Sequence, residues 1–191
     1  MSNRITQITA SSRLKEPDEA GLVRAAKLDP AAFGRLYDHY VQPVFRYLYS
    51  RVGNAAVAED LTSQTFLAAL ESMGSYRHQG YFSAWLFAIA RSKVIDHYRR
   101  DHRETDLEAV DQLPAETDPL KEVLQTERSL ALVKLVNLLP DGERELIRLR
   151  YVAELSFDEI AALLGGHTDA VKKSLYRLLA RLESRLEEIR D

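Results

Sequence analysis

Apolar positions fall at steps of three and four along most of the chain. Phe33, Leu36, Tyr37, Tyr40, Val41, Val44, Phe45 and Leu48 have the spacing of a helix that buries one face. Asp29-Pro30 marks its start, because an Asp side chain can accept from the free N–H groups of a first turn and Pro fits that turn. Pro43 lies inside the pattern and is a candidate kink. Gly53-Asn54 breaks the periodicity. Val57, Leu61, Leu67 and Leu70 then predict a second helix over about 55–72, with these four on related faces. Residues 73–81 contain Gly74, Ser75 and Gly80 and read as a loop, and a third helix is predicted over about 83–100. A weaker helical tendency lies at 19–28, ahead of Asp29.

From Asp101 to about Asp118 apolar residues are few, carboxylates are many, and Pro114 and Pro119 intervene. This stretch reads as a flexible acidic linker. Periodicity resumes near Leu120 and continues through Leu130, Val133, Leu135, Val136, Leu138 and Leu139 to Pro140. Three further helices are predicted, over about 141–152, 156–164 and 168–189. With no convincing alternating strand pattern, the expected fold is all-α: two small helical domains joined by the linker, the second containing a helix-turn-helix.

That motif rests on local chemistry. Ser156 and Glu159 have the spacing of a capping box, in which each side chain satisfies the other's backbone donor. Ile160, Ala161 and Leu164 follow on one face, and Gly165 suits a left-handed helix end. His167 or Thr168 can cap the next helix, which would bury Val171, Leu175, Leu178 and Leu182. Lys172, Lys173, Tyr176 and Arg177 are then left mostly off the buried stripe, where cations and an aromatic ring can meet phosphates and base edges.

Charge sharpens the division. The net charge of −3 is spread unevenly. Residues 1–100 carry +4, residues 101–127 carry −7, and residues 128–191 are neutral. A locally basic block can bind nucleic acid although the whole chain is acidic. The 191 residues include no cysteine, which excludes disulfides, thiolate nucleophiles and Cys-ligated metal. No apolar run approaches the ~20 residues of a bilayer span, and residues 1–17 lack an apolar signal core, so a cytoplasmic protein without membrane insertion is expected. The five histidines, His39, His78, His97, His102 and His167, form no close ligand pair, and no phosphate loop or nucleophile elbow is present. Neither catalysis, a metal nor a cofactor is expected.

The motifs together resemble those of the extracytoplasmic-function group of bacterial sigma factors. The matching stretches are Phe33-Gly-Arg-Leu-Tyr37, Ala58-Glu-Asp-Leu-Thr-Ser-Gln-Thr-Phe66, Ala84-Trp-Leu-Phe-Ala-Ile-Ala-Arg91 and Asp96-His-Tyr-Arg-Arg100 in the first block. In the second they are Leu138-Leu-Pro140, Phe157-Asp-Glu-Ile-Ala161 with Leu164-Gly165, and Val171-Lys172 through Leu175-Tyr-Arg177. The resemblance implies sigma region two over 20–100, a linker over 101–119 and sigma region four over 120–191. It implies core RNA polymerase, promoter DNA and an anti-sigma factor as partners, with no catalytic residues in the chain itself.

By the same resemblance, Asp60, Ser63, Gln64 and Phe66 would dock on the polymerase. Tyr76, Tyr81, Phe82, Arg91, Ser92, Lys93, Arg99 and Arg100 would serve the −10 element, where melted bases need stacking and cationic groups. Lys172, Lys173, Tyr176 and Arg177 would read the −35 element. Ser92 stands where many members carry Asn, Ser63-Gln64 replaces a commoner Gln-Glu, Gly166 replaces an apolar residue of the turn, and Asp169-Ala170 replaces a usual Gly-Thr. The alternative reading is a stand-alone helix-turn-helix regulator, which would bind DNA without polymerase.

Overall fold

The computed structural model describes residues 19–77, 80–105 and 127–188. Eight α-helices run through them: α1 (Glu19–Ala26), α2 (Pro30–Val52), α3 (Ala55–Ser72), α4 (Phe82–Thr105), α5 (Glu127–Asn137), α6 (Asp141–Ile147), α7 (Phe157–Leu164) and α8 (Thr168–Glu188). A 3₁₀ turn at Met73–Ser75 follows α3, and a π turn at Arg148–Val152 continues α6. No strand occurs among the described residues.

Helix ends fall where side chains can satisfy them. Asp29 accepts from the Ala31 N–H at 2.9 Å, with Pro30 in the first turn of α2. Gly53 ends α2 in the left-handed region at φ 66°, and Asn54 caps α3 by accepting from the Val57 N–H at 3.1 Å. α2 is helical on both sides of Pro43. α4 extends to Thr105, five residues into the segment expected to be linker, and the rest of that segment lies outside the described residues.

The N-terminal domain packs α1 on α2, α2 on α3 and α4, and α3 on α4. Its core holds Phe33, Leu36, Tyr40, Val44, Tyr47 and Leu48 from α2, and Phe82, Leu86, Phe87, Ala90 and Val94 from α4. Between them α3 buries Ala58, Leu61, Thr62, Thr65, Phe66 and Ala69. Leu67 and Leu70, expected on related faces with Leu61, are instead exposed. The small buried side chains let α3 approach its neighbours, and the Thr62 and Thr65 hydroxyls donate to the carbonyls of Ala58 and Leu61 at 2.7 Å, so they enter the core satisfied.

In the C-terminal domain α5, α6 and α7 all pack on α8. Leu135 and Leu139 meet Leu175, Leu178 and Leu182 there. Leu138 and Leu164, read as members of apolar faces, are exposed. The two domains also share a core. Leu149, Ala153, Leu155, Ile160 and Ala161 belong to the same buried cluster as the α2 and α4 residues, with α7 against α4 and the π turn against α2.

Candidate polymerase and promoter surfaces

Helix α3 offers the first surface. At ~100° per residue, Asp60, Ser63, Gln64 and Leu67 lie on the side opposite its buried stripe. Gln64 Nε2 donates to Asp60 Oδ2 at 2.7 Å, and Ser63 Oγ donates back to the Glu59 carbonyl at 3.0 Å. Asp60 and Ser63 are exposed and Gln64 is half-buried. Exposed Leu67 and Leu70 add apolar area at the C-terminal end of the same side, giving a polar entrance and an apolar patch. Phe66 does not share this surface. It is buried and meets the Tyr37 ring edge-on, with centroids 4.8 Å apart. Leu67 was legible as a partner of Asp60 and Ser63 only through its seven- and four-residue spacing from them.

The second surface lies on and before α4, and the structure divides the residues assigned to it. Tyr76 and Phe82 are core residues in this fold, not free stacking faces. Their rings form a cluster with Trp85 and Tyr40 at centroid distances of 4.5–5.8 Å, which closes the core over the start of α4. Burial, and next the charge of Glu19, push the Tyr76 phenol upward in pKa. Tyr81 is exposed and remains the available ring.

The polar residues of α4 also separate. Ser92, Arg99 and Arg100 are exposed, Arg99 lying 3.8 Å from Asp96 and Arg100 Nε donating to the Asp96 carbonyl at 3.3 Å. Arg91 and Lys93 are half-buried and, two residues apart, lie on opposite flanks of the helix. On its flank Arg91 pairs with Glu145 of α6, Nε to Oε1 at 3.1 Å.

The third surface is the helix-turn-helix of α7 and α8. Ser156 and Glu159 form the capping box: the Glu159 N–H donates to Ser156 Oγ at 3.2 Å, and the Ser156 N–H to Glu159 Oε2 at 2.6 Å. Gly165 ends α7 at φ 67°, with its N–H on the Ala161 carbonyl. α8 starts at Thr168, whose hydroxyl donates to Asp158 at 2.6 Å, while the His167 carbonyl accepts from Val171. These bonds tie the two helices across the turn. Val171, Leu175, Leu178 and Leu182 are buried as their spacing requires. Lys173, Tyr176 and Arg177 are exposed together on the outer side. Lys172 is half-buried, its ammonium 5.8 Å from the Phe157 ring, and Tyr176 packs its ring 5.9 Å from the same residue. Asp169 joins this face at its N-terminal end. Its charge suits the helix dipole there and opposes phosphate.

Sequence reasoning missed the groups at the junction of the domains. Glu145, 5% exposed, accepts from Tyr47 Oη at 2.7 Å and Arg51 Nη1 at 2.8 Å, both on α2. Their partners are some ninety residues away in the chain, so no local spacing announces them.

Comparison with known proteins agrees with this anatomy. Residues 36–104 match Sigma-70 region 2, and residues 129–182 match Sigma-70 region 4. The chain is 40% identical over 163 residues to the ECF RNA polymerase sigma factor BldN of Streptomyces coelicolor, covering 83% of this chain and 62% of BldN, under two thirds of that protein's length. It is 31% identical to the RNA polymerase sigma factor YlaC of Bacillus subtilis over 160 residues, covering 82% of this chain and 92% of YlaC. Among solved structures, CnrH in complex with the cytosolic domain of CnrY superposes with a TM-score of 0.63 at 25% identity, over 87% of this chain and 96% of CnrH. With the two sigma regions in this order on one helical scaffold, the chain belongs to the extracytoplasmic-function group of RNA polymerase sigma factors.

Proposed function

We propose that this protein binds core RNA polymerase through the outer side of α3 and directs promoter recognition and melting, with α4 at the −10 element and α8 at the −35 element. The observation that carries this reading is the pairing of both sigma regions on one chain, each presenting exposed polar side chains where its role needs them. A stand-alone helix-turn-helix regulator leaves the match to region two without a purpose. Nucleotidyl transfer would belong to the polymerase, so the reading asks no chemistry of this chain. Its place of action is then the cytoplasm, and no helix among the described residues is long and apolar enough to cross a membrane. The likeness to CnrH, solved with the cytosolic domain of another protein, supports a further protein partner, which the family resemblance makes an anti-sigma factor.

Asp60, Ser63 and Gln64 form the polar part of the polymerase surface, with Leu67 beside them. Truncating a central side chain of such an interface costs ~2 kcal/mol or more. Asp60→Ala is expected to weaken binding to purified core polymerase by that amount with unchanged circular dichroism. Run-off transcription on a genomic fragment library tests the function itself. Absence of any added transcript with core polymerase would overturn the proposal.

A further inference from the structure

Among the described residues five polar links between the domains share one polarity. Tyr47, Arg51 and Arg91 of the N-terminal domain contact Glu145 at 2.7, 2.8 and 3.1 Å. Arg46 contacts Glu154 at 3.0 Å, and Ser83 donates to Glu159 at 2.5 Å. In each, the C-terminal domain supplies a glutamate and the N-terminal domain supplies the donor. The residues of α4 that the proposed function assigns to promoter DNA lie on the basic partner of this pairing. A carboxylate offers an arginine the same charge-assisted, oxygen-accepting contact that a phosphate does.

The arrangement has the features of a seat rather than an accidental touch. Glu145 is buried, and burial of a carboxylate is tolerated only where donors converge on it. Glu154 holds the left-handed conformation at φ 58°, disfavoured for a residue with a side chain, and in that conformation its carboxylate meets Arg46. Glu159 divides its two oxygens between the cap of α7 and Ser83, so the fold of the helix-turn-helix and the contact with α4 use one side chain. A cavity of about 460 Å³, lined by Arg51, Arg91, Glu145, His167 and Ser174 among others, adjoins the cluster.

We propose that Glu145, with Glu154 and Glu159, forms an interdomain latch that holds the chain closed and occupies Arg91 in place of a DNA phosphate. The latch must release before Arg91 can reach promoter DNA. This second statement rests on the proposed assignment of Arg91 to the −10 element, whereas the first rests on the intramolecular contacts alone.

The absence of native cysteine permits clean labelling. Spin labels at Gln42→Cys on α2 and Lys134→Cys on α5, both exposed and outside the latch and the three surfaces, report the interdomain distance by double electron–electron resonance. Glu145→Gln keeps size and acceptor but removes the charge. It is expected to convert one narrow distance population into a broad, longer one, and to raise affinity for a short random-sequence single-stranded DNA about tenfold, the equivalent of losing one charged hydrogen bond. A second variant, without the spin-label cysteines, adds Arg46→Cys and Glu154→Cys to Glu145→Gln and joins them with a short bismaleimide. The crosslinked form is expected to lose the gain in DNA binding that the uncrosslinked form keeps.

Circular dichroism of each variant is the control that its helices persist. An unchanged distance in Glu145→Gln would overturn the latch. Opening without a gain in DNA binding, or full binding in the crosslinked form, would overturn the withholding of Arg91. Failure of run-off transcription by the wild type would instead remove the proposed function and leave the distance result standing.

Discussion

Tyr81 and Phe82 adjoin in sequence and differ in environment: Tyr81 is 42% exposed and Phe82 is 1% exposed. Phe82 opens α4 and turns into the rings of Tyr40, Tyr76 and Trp85, whereas Tyr81 precedes the helix. The two substitutions should therefore separate packing from binding. Phe82→Ala is expected to cost ~3–5 kcal/mol in urea unfolding. Tyr81→Ala should change stability by ~0.5 kcal/mol or less, yet weaken single-stranded DNA binding by ~1–3 kcal/mol through the loss of a stacking face. Composition indicated that aromatics gather here, but it could not tell which ring would be sealed by Tyr40 from another helix.

At the scale of the helix, α8 and α3 show when periodicity can be read. On α8 the large residues Val171, Leu175, Leu178 and Leu182 are the buried ones, so spacing alone fixed the rotation of the helix and placed Lys173, Tyr176 and Arg177 outward. The division of labour there can be measured. Arg177→Ala should cost ~1–3 kcal/mol on a cognate upstream element through loss of a bidentate contact, and less once the contacted base pair is changed. Lys173→Ala should weaken all sequences alike and lower the salt slope by roughly one. Holoenzyme affinity for upstream-element variants over a salt series distinguishes the two, and equal weakening of every variant by Arg177→Ala would make it a backbone anchor. On α3 size does not predict burial. Leu61 and Phe66 are buried together with Ala58, Thr62, Thr65 and Ala69, whereas Leu67 and Leu70 stay outside. A pattern scored on hydrophobic size therefore misassigns Leu67 and Leu70.

For the molecule as a whole, the buried polar cluster links stability to pH. Burial, then the adjacent Glu145 carboxylate, push the Tyr47 phenol far above its ordinary range. Burial also raises Tyr98 and lowers the Arg148 guanidinium beside the cluster, with Arg51 adding to the effect on Arg148. A phenol whose pKa is raised on folding stabilises the fold fully below its unfolded pKa of about 10, and that contribution is lost as pH rises above it. The urea midpoint should thus hold between about pH 7 and pH 9 and fall above about pH 10. Tyr47→Phe should show a shallower fall. An equal fall in both proteins would show that Tyr47 is not its source.

The chain by itself determined the helices, their caps and the inner face of α8, because these depend on residues within a few positions of one another. Asp29, Asn54, Ser156, Glu159 and Gly165 act through backbone groups two to four residues away, and the order of the two sigma motifs is likewise written along the chain. Only the tertiary structure decided that Phe66, Tyr76 and Phe82 belong to the core, that Arg91 faces Glu145, and that both domains share one buried cluster. Those outcomes depend on which helix covers which, and the partners come from distant parts of the chain. Tyr47 and Glu145 stand 98 residues apart. A carboxylate at that position reads in sequence as one more solvated charge, and becomes the centre of a buried cluster only when α2, α4 and α6 converge on it.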